Sequence, residues 1–120
     1  MKPVKAVFGN IDGQKLRSVI PETQRFFCEE TEVIIKHIGG YPNHYDRSII
    51  ETIQQNPPGL FISGHSHILK VIFDKKYQLL HINPGAAGKN GLHKIRTMVR
   101  FSINGKKIIE LEAIELGARN

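Results

Sequence analysis

The chain contains no tryptophan, one cysteine, only three aspartates and no long apolar run, and each shortage removes a class of protein. A lone thiol, Cys28, closes no internal disulfide, so a stapled secreted scaffold is excluded and a reducing compartment is expected. Its strand-like surroundings read as those of a small structural residue. No segment approaches the ~20 apolar residues a membrane helix needs, so no membrane partner is expected. The start Met1-Lys2-Pro3-Val4-Lys5 carries charge, but no hydrophobic region of signal-peptide length follows. The protein therefore reads as cytoplasmic. Neither an internal repeat nor a low-complexity segment is visible.

What remains is an ordinary globular composition: 120 residues, 40% hydrophobic and 23% charged. That length supports one domain, residues 1–120, with one hydrophobic core. Seventeen lysines and arginines outweigh eleven acidic residues, giving a net charge of +6. Lys75-Lys76, Lys89, Lys94, Arg96, Arg100 and Lys106-Lys107 are scattered and lack aromatic interleaving. A nucleic-acid partner is therefore not expected, whereas a phosphate-bearing substrate suits the charge.

Apolar runs and turn signals set the order of elements. Val4 to Phe8 reads as a buried strand that ends at the turn-rich Gly9-Asn10-Ile11-Asp12-Gly13. After Pro21-Glu22, Arg25 to Cys28 and Val33 to Ile35 flank a polar stretch and form a hairpin running into His37. The glycines and proline of Ile38 to Tyr45 argue for an irregular loop, the usual place for a site. Asp46 is the N-cap of a helix carrying Ile49, Ile50 and Ile53, which Asn56-Pro57-Pro58 stops. Strands follow at Leu60 to Ser63, Leu69 to Phe73 and Tyr77 to Ile82. The last hairpin, Thr97 to Ile103 with Lys107 to Leu116, turns at Asn104-Gly105, a type I′ signal. The expected fold class is α/β (α+β), rich in strands.

The most informative motif is Gly64-His65-Ser66-His67. In an extended segment, alternate side chains share a face, so His65 and His67 would present imidazoles to one metal cluster. Asn10, His37 and the His65/His67 pair follow three strands whose ends converge in a layered sheet. Imidazole nitrogen with amide oxygen suits manganese, iron, nickel or zinc. His44 is a substrate contact or a solvated loop residue, His81 is packed or hydrogen-bonded inside a strand, and His93 is a surface residue. Asn83-Pro84-Gly85 offers backbone N–H groups to an anion or is a mere turn.

Four motifs in order, Gly9-Asn10-Ile11-Asp12, His37-Ile38-Gly39-Gly40-Tyr41-Pro42, Gly64-His65-Ser66-His67 and Ile82-Asn83-Pro84-Gly85, resemble the later motifs of the calcineurin-like metallophosphoesterases. The small bacterial and archaeal phosphodiesterases of that superfamily are the most similar. The resemblance implies a two-sheet αββα sandwich, a dinuclear site at the strand ends, and hydrolysis of a phosphoester, often a phosphodiester. By it, Asn10, His37 and His65 are ligands of one metal and His67 a ligand of the other. One eukaryotic branch of the fold is an assembly subunit in membrane-coat trafficking, so a non-catalytic scaffold is a second expectation. A small module with a structural metal on His37, His65 and His67 is a third.

Two family features are absent. No aspartate is followed two residues later by histidine, and no glycine is followed by aspartate, although the family uses both motifs and takes its bridging carboxylate from the second. Both belong before Val4, in two βα units of about 60 residues. The sequence is thus expected to be the C-terminal two-thirds of a family member, with exposed strand edges that promote dimerisation. Many members also carry a histidine after the asparagine, as an acid for the leaving group. Ile11 stands there, with Asp12 next to it as the catalytic candidate or as a turn former.

Overall fold

The computed structural model describes residues 2–120. A four-residue helix α1 (Gln14–Arg17) precedes the hairpin β1 (Thr23–Cys28) and β2 (Thr31–Lys36). A small ladder, β3 (Gly40–Tyr41) and β4 (His44–Tyr45), leads into helix α2 (Arg47–Gln55). Then come β5 (Leu60–Ser63), β6 (Leu69–Asp74), β7 (Leu79–Pro84), and the long hairpin β8 (Ile95–Asn104) and β9 (Lys107–Ala118). The mixed α/β, strand-rich class expected from sequence is the observed one.

One five-stranded sheet, in the order β1-β2-β5-β7-β6, organises the molecule. Its three central strands are parallel, and its two edges pair antiparallel. Parallel strands must be covered on both faces, and the residues alternate accordingly. Ile34, Phe61 and Leu79 face α2, where they meet Ile49 and Ile53 with Tyr45 and Tyr77 at the margin. Val33, Leu60 and Ile82 face the other way, against Val99, Phe101, Ile108 and Leu111 of the last hairpin. The Asp46 carboxylate accepts a hydrogen bond from Ser48 N at 3.0 Å, so α2 starts where the cap was expected.

Four local expectations are corrected. Val4 to Phe8 forms no strand: Val4 is 85% exposed, and the segment is held by a bond from Phe8 N to Pro21 O and one from Gln24 Nε2 to Ala6 O. An apolar run becomes a strand only when a neighbour completes its ladder. The last turn pairs Asn104 with Lys107, so its central residues are Gly105 and Lys106, with only Gly105 (φ +63) at positive φ. That is the type II′ pattern, not type I′. Tyr41 and His44 pair across a short ladder where an irregular loop was expected. Cys28 is exposed rather than packed.

Candidate metal centre

Because β2, β5 and β7 run parallel, their carboxyl ends open on one edge of the sheet, the usual place for a ligand crevice. His37 follows β2, Gly64 to His67 follow β5, and Asn83 and Pro84 close β7. Asn10 reaches this edge from the Gly9 to Gly13 turn. Its Oδ1 lies 2.9 Å from His37 Nε2 and 3.2 Å from His65 Nδ1, accepting from both rings. The two rings meet edge to face, with centroids 5.3 Å apart. One amide oxygen and two imidazole nitrogens thus converge, a donor set that suits a borderline first-row cation. Its limit is the number of donors: among the described residues, no group of three or more His, Cys, Asp or Glu side chains is placed to hold a metal ion.

Two devices hold this arrangement. The Arg17 guanidinium donates to Asp12 O at 2.7 Å, Asn10 O at 3.0 Å and Gly9 O at 3.2 Å, and it lies over the Phe8 ring. It fastens the Asn10 turn where no strand does so. The Asp12 carboxylate is engaged by Gly9 N at 2.6 Å and closes the turn instead of facing the crevice. On the other side, buried Asn83 donates to Gly64 O at 3.1 Å and Ser66 Oγ at 3.0 Å, and its Oδ1 accepts from Gly85 N at 3.0 Å. That Gly85 N–H therefore pins the loop and is not directed at an anion. Sequence reasoning missed Arg17 altogether, because a polar residue on a short helix carries no periodic signal.

The segment after β5 is not extended. His65 (φ 68) and His67 (φ 62) both adopt left-handed backbone, a costly conformation for residues other than glycine. As a result, their rings do not share a face. His65 turns toward Asn10 and His37, while His67 stacks edge to face with His93, centroids 5.0 Å apart. Burial holds His37 below the ordinary imidazole range. The charges of His65, His67 and Lys36 push it the same way, and Asp12 opposes them. A neutral ring with a free lone pair is the form a cation requires.

A hollow of ≈ 170 Å³ adjoins the group, lined by His65, His44, Tyr41 and Lys70 among others. The Lys70 ammonium sits 4.4 Å from the Tyr41 ring centroid, which places a cation on its wall. A second hollow of ≈ 210 Å³ lies between Asn10, Arg17, Lys36 and His37. His81 is elsewhere. Fully buried, it lies 3.2 Å from Phe61 O through Nδ1, and burial pushes its pKa down to about 4.

Comparison with known proteins bears on this edge. The model of the calcineurin-like phosphoesterase superfamily domain matches residues 1–106. No curated protein matches the chain in sequence. Among solved structures, wild-type Vps29 complexed with zinc from Entamoeba histolytica is similar at 17% identity and TM-score 0.69, covering 98% of this chain and 69% of that one. An archaeal phosphodiesterase is similar at 22% identity and TM-score 0.68, over 92% and 67%. A predicted phosphoesterase from Streptococcus pneumoniae is similar at 17% and 0.63, over 91% and 68%. At these identities the likeness is one of fold.

Proposed function

Since the chain belongs to the calcineurin-like phosphoesterase superfamily, we propose that its parallel-strand edge is a metal-dependent phosphoesterase site acting on a phosphodiester in the cytoplasm. The observation that carries this reading is Asn10 Oδ1 poised between His37 Nε2 and His65 Nδ1. With the proton of each ring carried on its other nitrogen, His37 Nε2 and His65 Nδ1 would offer lone pairs to a cation beside Asn10 Oδ1. Manganese, nickel, iron and zinc all suit them, and His67 would serve a neighbouring ion. When bound, such ions supply Lewis acidity at the phosphoryl group.

The chain's own residues do the rest. Asn10, His37 and His65 hold the centre at the mouth of the crevice, and Lys70 and His44 on the adjoining wall attract and orient the phosphate. The two positions from which the sequence offered a leaving-group acid supply none, because Ile11 is apolar and 89% exposed and the Asp12 carboxylate accepts from Gly9 N. Activated phosphodiesters, whose leaving groups need no proton, are therefore the preferred substrates.

The test is hydrolysis of bis(p-nitrophenyl) phosphate with manganese, nickel or zinc added. Turnover that depends on the metal, and falls at least about tenfold in His65→Ala, supports the proposal; no turnover with any of the three ions overturns it. A non-catalytic scaffold is the second reading. It is favoured by the open edge at β6, where Leu69, Val71 and Phe73 are 39%, 40% and 52% exposed. Such an edge also suits pairing with a second copy. A chain that binds metal, shows no turnover and self-associates through β6 would fit that reading.

A further inference from the structure

The two edges of the five-stranded sheet differ in what lies along them. Beside β1, Gln24 Nε2 donates to Ala6 O at 3.3 Å and the Lys5 ammonium sits 5.2 Å from the Phe26 ring centroid, so the N-terminal segment accompanies that edge. Among the described residues, the backbone hydrogen bonds of β6 all go to β7, through six consecutive pairs from Leu69–Pro84 to Asp74–Leu79 with no shift of register. An edge strand with neither proline nor bulge is a template for another strand. Val71 and Phe73 pair with Ile82 and Leu80 and share their face, toward the last hairpin. Lys70, Ile72 and Asp74 alternate with them on the α2 face, where Ile72 is 37% exposed, so neither face of the edge is closed.

The order of residues along β6 makes it complementary to itself. In an antiparallel pair related by a two-fold axis normal to the sheet, one residue lies on the axis and residues equally far from it on either side meet on a common face. With Ile72 on the axis, Val71 meets the partner's Phe73, an apolar pair on the hairpin face. On the α2 face, Lys70 then meets the partner's Asp74, whose carboxylate is held by Tyr45 Oη and Lys76 N. An axis at Val71 instead sets Lys70 against Ile72 and Asp74 against Ile68, and an axis at Phe73 sets Lys70 against Lys76. Opposite charges directly across a ladder stabilise it and like charges destabilise it. Of these three registers, the one about Ile72 alone matches both faces.

We propose that the protein forms a two-fold dimer in which the β6 strands of two copies pair antiparallel about Ile72, joining two five-stranded sheets into one. This deepens the reading of β6 as an open edge by fixing its occupant and its register, and it holds whether or not the metal edge turns over a phosphodiester. Because the axis is normal to the sheet, the carboxyl ends of the parallel strands in the two copies face opposite ways. Each metal centre thus opens on its own end of the joined sheet.

The experiment is sedimentation equilibrium on the whole chain, with cross-linking to read the register. The expected mass is twice the 13.6 kDa of one chain. Val71→Lys, which sets an ammonium against the partner's Phe73 at two symmetry-related places, should weaken the dimer by about tenfold. Phe27→Lys, at an exposed apolar residue on β1, should leave it unchanged. In a Cys28→Ser background oxidised with diamide, Ile72→Cys should give a disulfide-linked dimer. Leu69→Cys should not, because its two copies lie six residues, about 20 Å, apart along the paired strands. A monomer up to the solubility limit, a dimer indifferent to Val71→Lys, or a link through Leu69→Cys in preference to Ile72→Cys overturns the proposal. If Val71→Lys fails to fold, the two cysteine variants decide alone. Turnover of the phosphodiester by the same samples bears on the metal edge only, so the two readings fail separately.

Discussion

The sheet and the segment before it meet at the same site with opposite means of support. His37 and His65 hang from strands whose flanks are closed by Phe61, Leu60 and Ile82, each at most 1% exposed. Asn10 hangs from a segment with no fully buried residue, in which Val4, Ile11 and Val19 are 85%, 89% and 77% exposed. Burial positions the imidazoles, whereas a few hydrogen bonds from Arg17 and His37 position the amide. A ligand can therefore be lost on one side without any loss of the fold.

The largest test of this contrast is Phe61→Ala, which removes a fully buried ring between α2 and the sheet. It should cost about 3–5 kcal/mol in urea unfolding, whereas Val4→Ala should stay within about 0.5 kcal/mol. An equal effect of the two would dissolve the distinction. Acid strikes the same side. His81 has a folded pKa of about 4 against an ordinary 6.5, so its neutral form is the native one. Between those values the unfolded chain takes up a proton that the folded chain refuses. Stability is thus complete above about pH 6.5 and falls toward pH 4 by roughly 3 kcal/mol. His81→Gln should flatten that part of the pH profile.

Asn83→Ala comes next, at about 1–3 kcal/mol, because Gly64 O and Gly85 N lose their partner. Faster amide exchange confined to residues 64–68 and 84–87 would verify the pinning role. Arg17→Ala is the smallest in stability, within about 1 kcal/mol for exposed hydrogen bonds. Its effect should appear instead as weaker zinc binding by the Asn10, His37 and His65 group and increased exchange at Gly9 to Gly13. A large drop in melting temperature would mean that the segment is structurally coupled to the core after all.

The parts legible in the sequence were those set by local chemistry repeated along a strand or helix. The Asp46 cap, the isoleucines of α2, and the strands from Leu60 to Ser63 and Leu69 to Phe73 follow from periodicity and punctuation alone. Val4 to Phe8 misled because an apolar run states what it prefers to bury, and a ladder depends on neighbours it does not encode. The turn at Gly105 shifted by one residue because Asn-Gly and Gly-Lys both satisfy a two-residue loop, and only the register of β8 on β9 decides between them. At the site, Asn10, His37 and His65 could be read as a group, and the family resemblance already set His67 apart from them, but the turn of the backbone that separates the two rings could not be read. It comes from left-handed backbone at two histidines, which no spacing rule anticipates.

That backbone also sets a trade-off between durability and chemistry. Residues without a Cβ, or with the short amide of asparagine, occupy left-handed φ at little expense, while each histidine there costs of order 1 kcal/mol. Glycine at positions 65 and 67 would thus make the loop more stable and leave it without an imidazole. A screen for heat resistance alone would tend to erase the two side chains, and a screen for metal retention would keep them.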